Sequence, residues 1–378
     1  MNADFVKSLG RLSSPKFSGG NSIAVSRLGL TAVLNSDGTI ELANLRNGNG
    51  EYADLKVDNV SASELQEFTN IEFDYDGALL LLWSSKRIGF IEISSSILKS
   101  SASNLQSNDT STFSFVCDDV NSGNGIEQAA IPIVKACFHP SSSRHIVVLS
   151  EKELLRIVDI RTMETKCYRV SSDLRFSSFC FGPDIEWMKF ALFLLTVKGD
   201  VYALCPIIPD GTLVSRQTVN DLWAWVEDHS FSSVSSSSAV TSSTSHDSYI
   251  DSVRAYLLKT LGPAKDEDDS QYVRAGEGHI SDWEHEDFPL VSGFASNASH
   301  RNASALDVSS HSLLLQGPLK VERGYQERSA GSVAAKATDI CVPVVRGVSD
   351  NRGVSAPVLV VSKNSGEVDF LLMDTQVA

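Results

Sequence analysis

The densest set of residues suited to chemistry lies in the second half of the chain. His279, Asp282, Glu284, His285, Glu286 and Asp287 carry the imidazoles and carboxylates that hold zinc. Their spacing argues against a metal. The EHED run lacks the histidine pair, four residues apart, that the HExxH pattern uses to put two imidazoles on one face of a helix. The sequence also contains no GxSxG elbow, no GxxxxGK[ST] phosphate loop and no GxGxxG between a strand and a helix. GNGEYAD, starting at Gly48, lies in a polar loop with no helix after it. His139 precedes Pro140 at a turn, where local backbone bonds satisfy an imidazole more readily than catalysis employs it. The sequons at Asn108, Asn297 and Asn302 matter only on a secretory route. The expectation is a chain with no catalytic, cofactor-binding or metal-binding residues, and not an enzyme.

The elements around these residues repeat. Five stretches share an apolar run, a short polar turn and an alternating apolar strand: Thr31 to Leu45, Leu79 to Ile93, His145 to Ile160, Ala191 to Ile207 and Pro357 to Met373. Each run is too short and too β-branched for a helix, and turns such as SDG, VKGD and NSGE admit the positive φ angles of a tight hairpin. Most turn-to-turn intervals are close to the ~40–50 residues of one four-stranded blade. A further strand precedes three of the hairpins: IEFDYDG from Ile71, ACFHPSS from Ala136 and FCFGPD from Phe179. These read as inner strands carrying mainly Phe, Cys and Ile. The predicted fold is an all-β β-propeller of about six to seven blades over residues 1–378. Five blades come from the hairpins. A sixth is expected around Leu313 to Val321, and the seventh is either missing, leaving the propeller incomplete, or supplied in part by Phe17 to Val25.

Composition bounds the partners. The chain has 378 residues, 42% of them hydrophobic, with a formal charge of −15. No apolar run reaches the ~18 residues needed to cross a membrane as a helix. The amino terminus, MNADFVKSLGRLSSPKF, has no continuous apolar core and reads as a poor signal peptide. Six cysteines stand singly without CxxC spacing, as expected of reduced and mostly buried thiols in a cytosolic or nuclear protein. The negative charge, with no cluster of Lys and Arg, argues against direct nucleic-acid binding and for basic protein partners or none.

Residues 210–312 differ in kind. FSSVSSSSAVTSSTS (Phe231 to Ser245) and KDEDDS (Lys265 to Ser270) bury too little to offset the entropy of ordering, so a largely flexible insertion is predicted. Within it one helix is expected near 249–261. Ser248 is its cap, Ile250, Val253, Leu257, Leu258 and Leu261 recur at helical spacing, and Gly262-Pro263 ends it. Its apolar face has two readings: packing on the chain's own propeller, or completing a groove for another protein's helix. On the second reading the candidate partner-binding residues are Ile250, Val253, Leu257 and Leu261, flanked by Tyr249 and Tyr256, since tyrosines are favoured interface anchors.

Four segments then occur in a telling order: LFLLTVKGDVYALCPIIP (Leu192 to Pro209), LLLQGPLKVE (Leu313 to Glu322) after the long excursion, ATDICVPVV (Ala337 to Val345), and VLVVSKNSGEVDFLLM (Val358 to Met373). This order resembles the N-terminal propeller of the cytoplasmic-face nucleoporin family of 82/88 kilodaltons. The likeness covers about the second half of the chain, and the first half agrees in blade pattern alone. It implies a non-enzymatic docking platform at the cytoplasmic face of the nuclear pore complex in the nuclear envelope, supporting messenger RNA export. The implied partners are other nucleoporins: the autoproteolytic domain of a GLFG nucleoporin and the helical tail of an FG nucleoporin. The family continues into a closing part of its propeller and a coiled coil, and no heptad pattern occurs here. The chain is thus read as either a fragment or a reduced relative, and one complete at Ala378 would leave an edge for a partner to cover. The alternative is a generic WD40-like adaptor, which VDIRTMET (Val158 to Thr165) resembles but which leaves the QGPL segment unexplained.

Overall fold

A computed structural model describes residues 22–26, 29–44, 52–94, 97, 110–118, 132–151, 154–169, 174–183, 186–235, 243–262, 271–276, 318–319, 322–323, 336–341, 358–364 and 368–372. Its strands form six sheets among the described residues. The first has β1 (Ser22–Val25), β2 (Leu30–Leu34), β3 (Ile40–Asn44) and β4 (Tyr52–Asp54) side by side. The second orders β5 (Lys56–Asp58), β6 (Asn70–Phe73), β7 (Leu79–Trp83), β8 (Arg87–Glu92) and β9 (Thr110–Asp118) as β5-β9-β8-β7-β6, with β5 parallel to β9. A four-residue helix, α1 (Ala62–Leu65), precedes β6, and a capping box between Ser61 and Glu64 starts it.

The third sheet runs in chain order through β10 (Ile133–His139), β11 (Ser142–Ser150), β12 (Leu154–Asp159) and β13 (Thr165–Arg169). β14 (Phe176–Phe181), β15 (Leu192–Thr196) and β16 (Val201–Leu204) make the fourth, and β17 (Leu213–Ser215) with β18 (Tyr272–Arg274) the fifth. The sixth orders β19 (Glu322–Arg323), β20 (Ala337–Cys341), β21 (Val358–Lys363) and β22 (Val368–Leu372) as β19-β22-β21-β20. All five expected hairpins are present as β2/β3, β7/β8, β11/β12, β15/β16 and β21/β22. The fold is the predicted all-β propeller type.

The chain falls into two compact units. One holds 1–165, 172–179 and 337–339; the other holds 166–171, 180–336 and 340–378. In the first unit β7 explains why the run LLLLW is apolar at every position. Leu80 and Leu82 enter a core with Ala32, Leu34, Ile40 and Leu42, while Leu81 and Trp83 enter a second core with Ala136, Ile146 and Val148. A strand covered on both faces has no polar side to alternate with. The β2–β3 turn needs Gly38, at φ +81, where a Cβ would stand 2.1 Å from the Ala62 carbonyl oxygen.

Several expectations are revised. The amino-terminal segment contributes β1, which pairs with β2 and belongs to the first sheet, so it starts no separate blade. The stretch expected to build a sixth blade around Leu313 to Val321 is described only at Pro318 and Leu319, and there it lies against β16. A further sheet among the described residues is the β17/β18 pair. Within 210–312, two helices stand where one was expected: α2 (Arg216–Ser235) and α3 (Ser243–Leu261). α2 forms because Val219, Leu222, Trp223 and Val226 recur at helical spacing and are buried, and because the Ser215 hydroxyl accepts the Thr218 N–H, capping its first turn. The Ser-rich composition that begins inside α2 masks this periodicity. α3 begins five residues before the predicted cap Ser248. Residues 263–270 and 277–312, with KDEDDS and the whole His279 to Asp287 cluster, lie outside the described residues. Of the cysteines, Cys137 and Cys205 are buried, Cys167 and Cys180 half-buried and Cys341 exposed, so burial of the thiols is less general than expected.

Candidate functional site

Two places gather the residues that bear on function, one in each unit. In the second unit, α3 ends before Gly262, whose φ of +74 lets its N–H reach the Leu258 carbonyl at 3.1 Å. Of the candidate partner-binding residues, Ile250, Val253, Tyr256, Leu257 and Leu261 are all buried, Leu257 completely. The Tyr249 side chain lies outside the described residues. The apolar face of α3 is buried within the unit, with α2 beside the helix and the Ile208 backbone bonded to Tyr256. Tyr256 is tied to a single residue of the backbone twice over: its hydroxyl accepts the Ile208 N–H at 2.8 Å and donates to the Ile208 carbonyl at 3.0 Å. Burial pushes its ionisation well above the ordinary phenol range. Among the described residues of the helix the exposed large hydrophobic side chain is Leu258, outside the set chosen from the sequence.

In the first unit, three charged groups and a serine meet where sequence reasoning expected Phe, Cys and Ile. Glu72 of β6, Lys135 of β10, Ser178 of β14 and Asp339 of β20 each sit on a strand at the end of its sheet. Lys135 Nζ donates to Asp339 Oδ1 at 2.7 Å and to Ser178 Oγ at 3.1 Å, and the Ser178 hydroxyl donates to the same Asp339 oxygen at 2.5 Å. The ammonium also lies 5.9 Å from the Phe179 ring centroid, within cation–π range. Burial works to lower Lys135, but the Asp339 carboxylate outweighs it and holds the lysine above its ordinary range. For Glu72, withdrawal from water dominates and pushes the carboxyl up to about 7; Lys135 opposes that shift and Asp339 adds to it.

This arrangement has the makings of a serine–lysine pair, and its electrostatics oppose that chemistry. A lysine acts as general base only when neutral, and Lys135 is held protonated by its carboxylate partner. Among the described residues no group of three or more His, Cys, Asp or Glu is placed to hold a metal, and no helix is long and apolar enough to cross a membrane. His139, buried on β10, accepts the Ser141 N–H through Nδ1 at 3.2 Å, a local turn bond of the expected kind. The sequence marks each charged residue but not their meeting: NIEF, IVKACF and ATDIC each carry a single charged residue among mostly apolar neighbours.

Pro318 and Leu319 are the described residues of the QGPL segment, in the second unit. The Leu319 N–H donates to the Val201 carbonyl at 2.8 Å, along β16, and a few residues on Glu322 and Arg323 pair with Leu372 and Leu371 of β22. The described residues of this stretch thus bond to two sheets, at Leu319 and at Glu322 and Arg323.

No protein-family model matches the chain. Nuclear pore complex protein NUP88 of Arabidopsis thaliana is 28% identical over 124 residues, a match that spans 29% of this chain and 15% of that protein. A chain in the Chaetomium thermophilum heterotrimeric Nup82 NTD–Nup159 TAIL–Nup145N APD complex has the same fold, with a TM-score of 0.60 and 15% identity over 98% of this chain and 71% of its own. A chain of the yeast heterotrimeric Nup82–Nup159–Nup116 nucleoporin complex gives a TM-score of 0.53 and 16% identity over 96% of this chain and 72% of its own. In sequence over the shorter stretch, and in fold along nearly its whole length, the chain resembles the N-terminal β-propeller of the Nup82/Nup88 nucleoporin family.

Proposed function

We propose that this protein is a structural nucleoporin, a β-propeller docking platform at the cytoplasmic face of the nuclear pore complex that holds partner nucleoporins and supports messenger RNA export. The observation that carries this reading is a coincidence of two independent likenesses: a stretch similar in sequence to plant NUP88 lies within a chain whose fold follows members of two Nup82 heterotrimers. By the same likeness its partners are the autoproteolytic domain of a GLFG nucleoporin and the helical tail of an FG nucleoporin, as Nup159 accompanies Nup116 or Nup145N in those complexes. A docking role asks for surface and rigidity rather than reactive groups. The protonated Lys135 beside Ser178 supports a chain that performs no hydrolysis. Because the apolar face of α3 is filled by the chain itself, partners meet other surfaces.

The test is to tag the protein in living cells, record where it sits and identify what co-purifies. A punctate nuclear rim with FG and GLFG nucleoporins in the eluate is the expected result. A diffuse signal, with components of a different assembly recovered in their place, would overturn the reading in favour of a generic propeller adaptor.

A further inference from the structure

Arg156 of β12 is a buried cation that bonds to no carboxylate among the described residues. It stands opposite Val148 in the β11/β12 register, so it rises from the face of the third sheet that carries Ile146, Val148 and Val158. Those three pack with Leu81 and Trp83 of the second sheet. Arg156 is only 5% exposed and Ser150, at the end of β11, only 2%. Arg156 Nη2 donates to Ser150 Oγ at 3.0 Å, while the buried Nε–H has no acceptor among the described residues. Ser150 accepts in that bond, so its own O–H remains to be donated. Arg87, Lys135, Arg144 and Lys166, by contrast, each meet a carboxylate.

We propose that Arg156 and Ser150 form a site for a small anion, of the size and charge of chloride, at the hairpin end of the packing between the second and third sheets. The Arg156 Nε–H and the Ser150 O–H are its two donors, and the guanidinium supplies the charge. The charge decides the class of ligand. A neutral acceptor could satisfy the two donors, but it would leave a buried cation uncompensated, which is among the costliest features a fold can carry. Burial decides the size, because a side-chain carboxylate or a phosphate ester brings bulk where both residues are almost fully covered. The two donors meet only when β11 and β12 are paired, so the ion binds the folded chain and stabilises it by mass action.

Urea unfolding of the full chain, with sodium chloride replacing sodium gluconate at constant ionic strength, tests the site. The midpoint is expected to climb as chloride rises from about 1 to about 100 mM, and in Arg156→Met to stay level. Ser150→Ala keeps the charge and loses one donor, so about tenfold more chloride is expected to give the same climb. Chlorine-35 line widths report the ion directly, and the native chain is expected to broaden the chloride signal more than Arg156→Met does. A native midpoint indifferent to chloride, a chloride response that survives in Arg156→Met, or equal broadening by the two chains overturns the site. Unchanged chloride dependence in Ser150→Ala overturns the two-donor cradle and the site with it.

Discussion

At the scale of single residues, the chain's unusual groups are unusual because of what stands next to them. Asp159 and Glu72 are both drawn from water, yet they move in opposite directions. Burial would raise Asp159, but the Arg144 guanidinium and the N–H groups of Arg161 and Thr162 hold it down to about 2, whereas Glu72 has one shared lysine and rises to about 7. The sign for stability follows. A carboxyl whose folded ionisation lies above its unfolded value of 4.5 binds its proton better when folded, so Glu72 costs stability as pH climbs from about 4.5 through 7 and the cost is complete above that. Glu72→Gln is therefore expected to raise stability at pH 8 by on the order of 1–3 kcal/mol and to leave it nearly unchanged at pH 4.5. Urea unfolding at the two pH values checks this, and a loss of stability at pH 8 would contradict it. Tyr256→Phe strips both hydrogen bonds from Ile208 and leaves a buried N–H and carbonyl to find other partners. A loss of about 1–3 kcal/mol is expected in the same assay.

At the scale of elements, legibility tracks how much of a segment's pattern is local. All five hairpins can be read because a tight turn and its flanking strands fit within a few residues, and Gly38 marks its turn by the carbonyl it must pass. α2 escapes such a reading although Val219, Leu222, Trp223 and Val226 spell a helical face, because the serines that follow dominate the composition of the window. For α3 the apolar face is legible and its surroundings are not. Whether such a face is covered by the chain or by a partner depends on α2 and on the Ile208 peptide, which lies 48 residues away. The helix itself supplies a paired control. Leu257→Ala, at a fully buried position, is expected to cost about 2–5 kcal/mol, and Leu258→Ala, on the exposed side, to stay within about 0.5 kcal/mol of the native chain. Equal effects would mean that the face is assigned wrongly.

At the scale of the whole molecule, what the sequence makes legible is the repeat and what it hides is the meeting of distant strands. Blade-type sheets recur because each hairpin encodes one, but nothing within NIEF, IVKACF or ATDIC says that their charged residues come together, since that depends on which strand ends its sheet. Net charge, by contrast, needs no fold to be read. A formal −15 spread over 378 residues gives an incoming phosphate backbone a repulsive field, and counterion release requires lysines and arginines gathered along one stripe. Several of the cations that the described residues do present are already committed: Arg87 to Glu67, Lys135 to Asp339, Arg144 to Asp159, Lys166 to Asp210 and Lys363 to Asp369. The proposed role in messenger RNA export, with such a surface, calls for action through protein partners. Fluorescence anisotropy of a labelled single-stranded RNA titrated with the chain is therefore expected to show no binding tighter than about 100 μM at physiological salt, the weak end of ordinary non-specific affinity. Micromolar binding that weakens steeply with added salt would reveal a basic stripe and would move the function from holding proteins to holding the transcript.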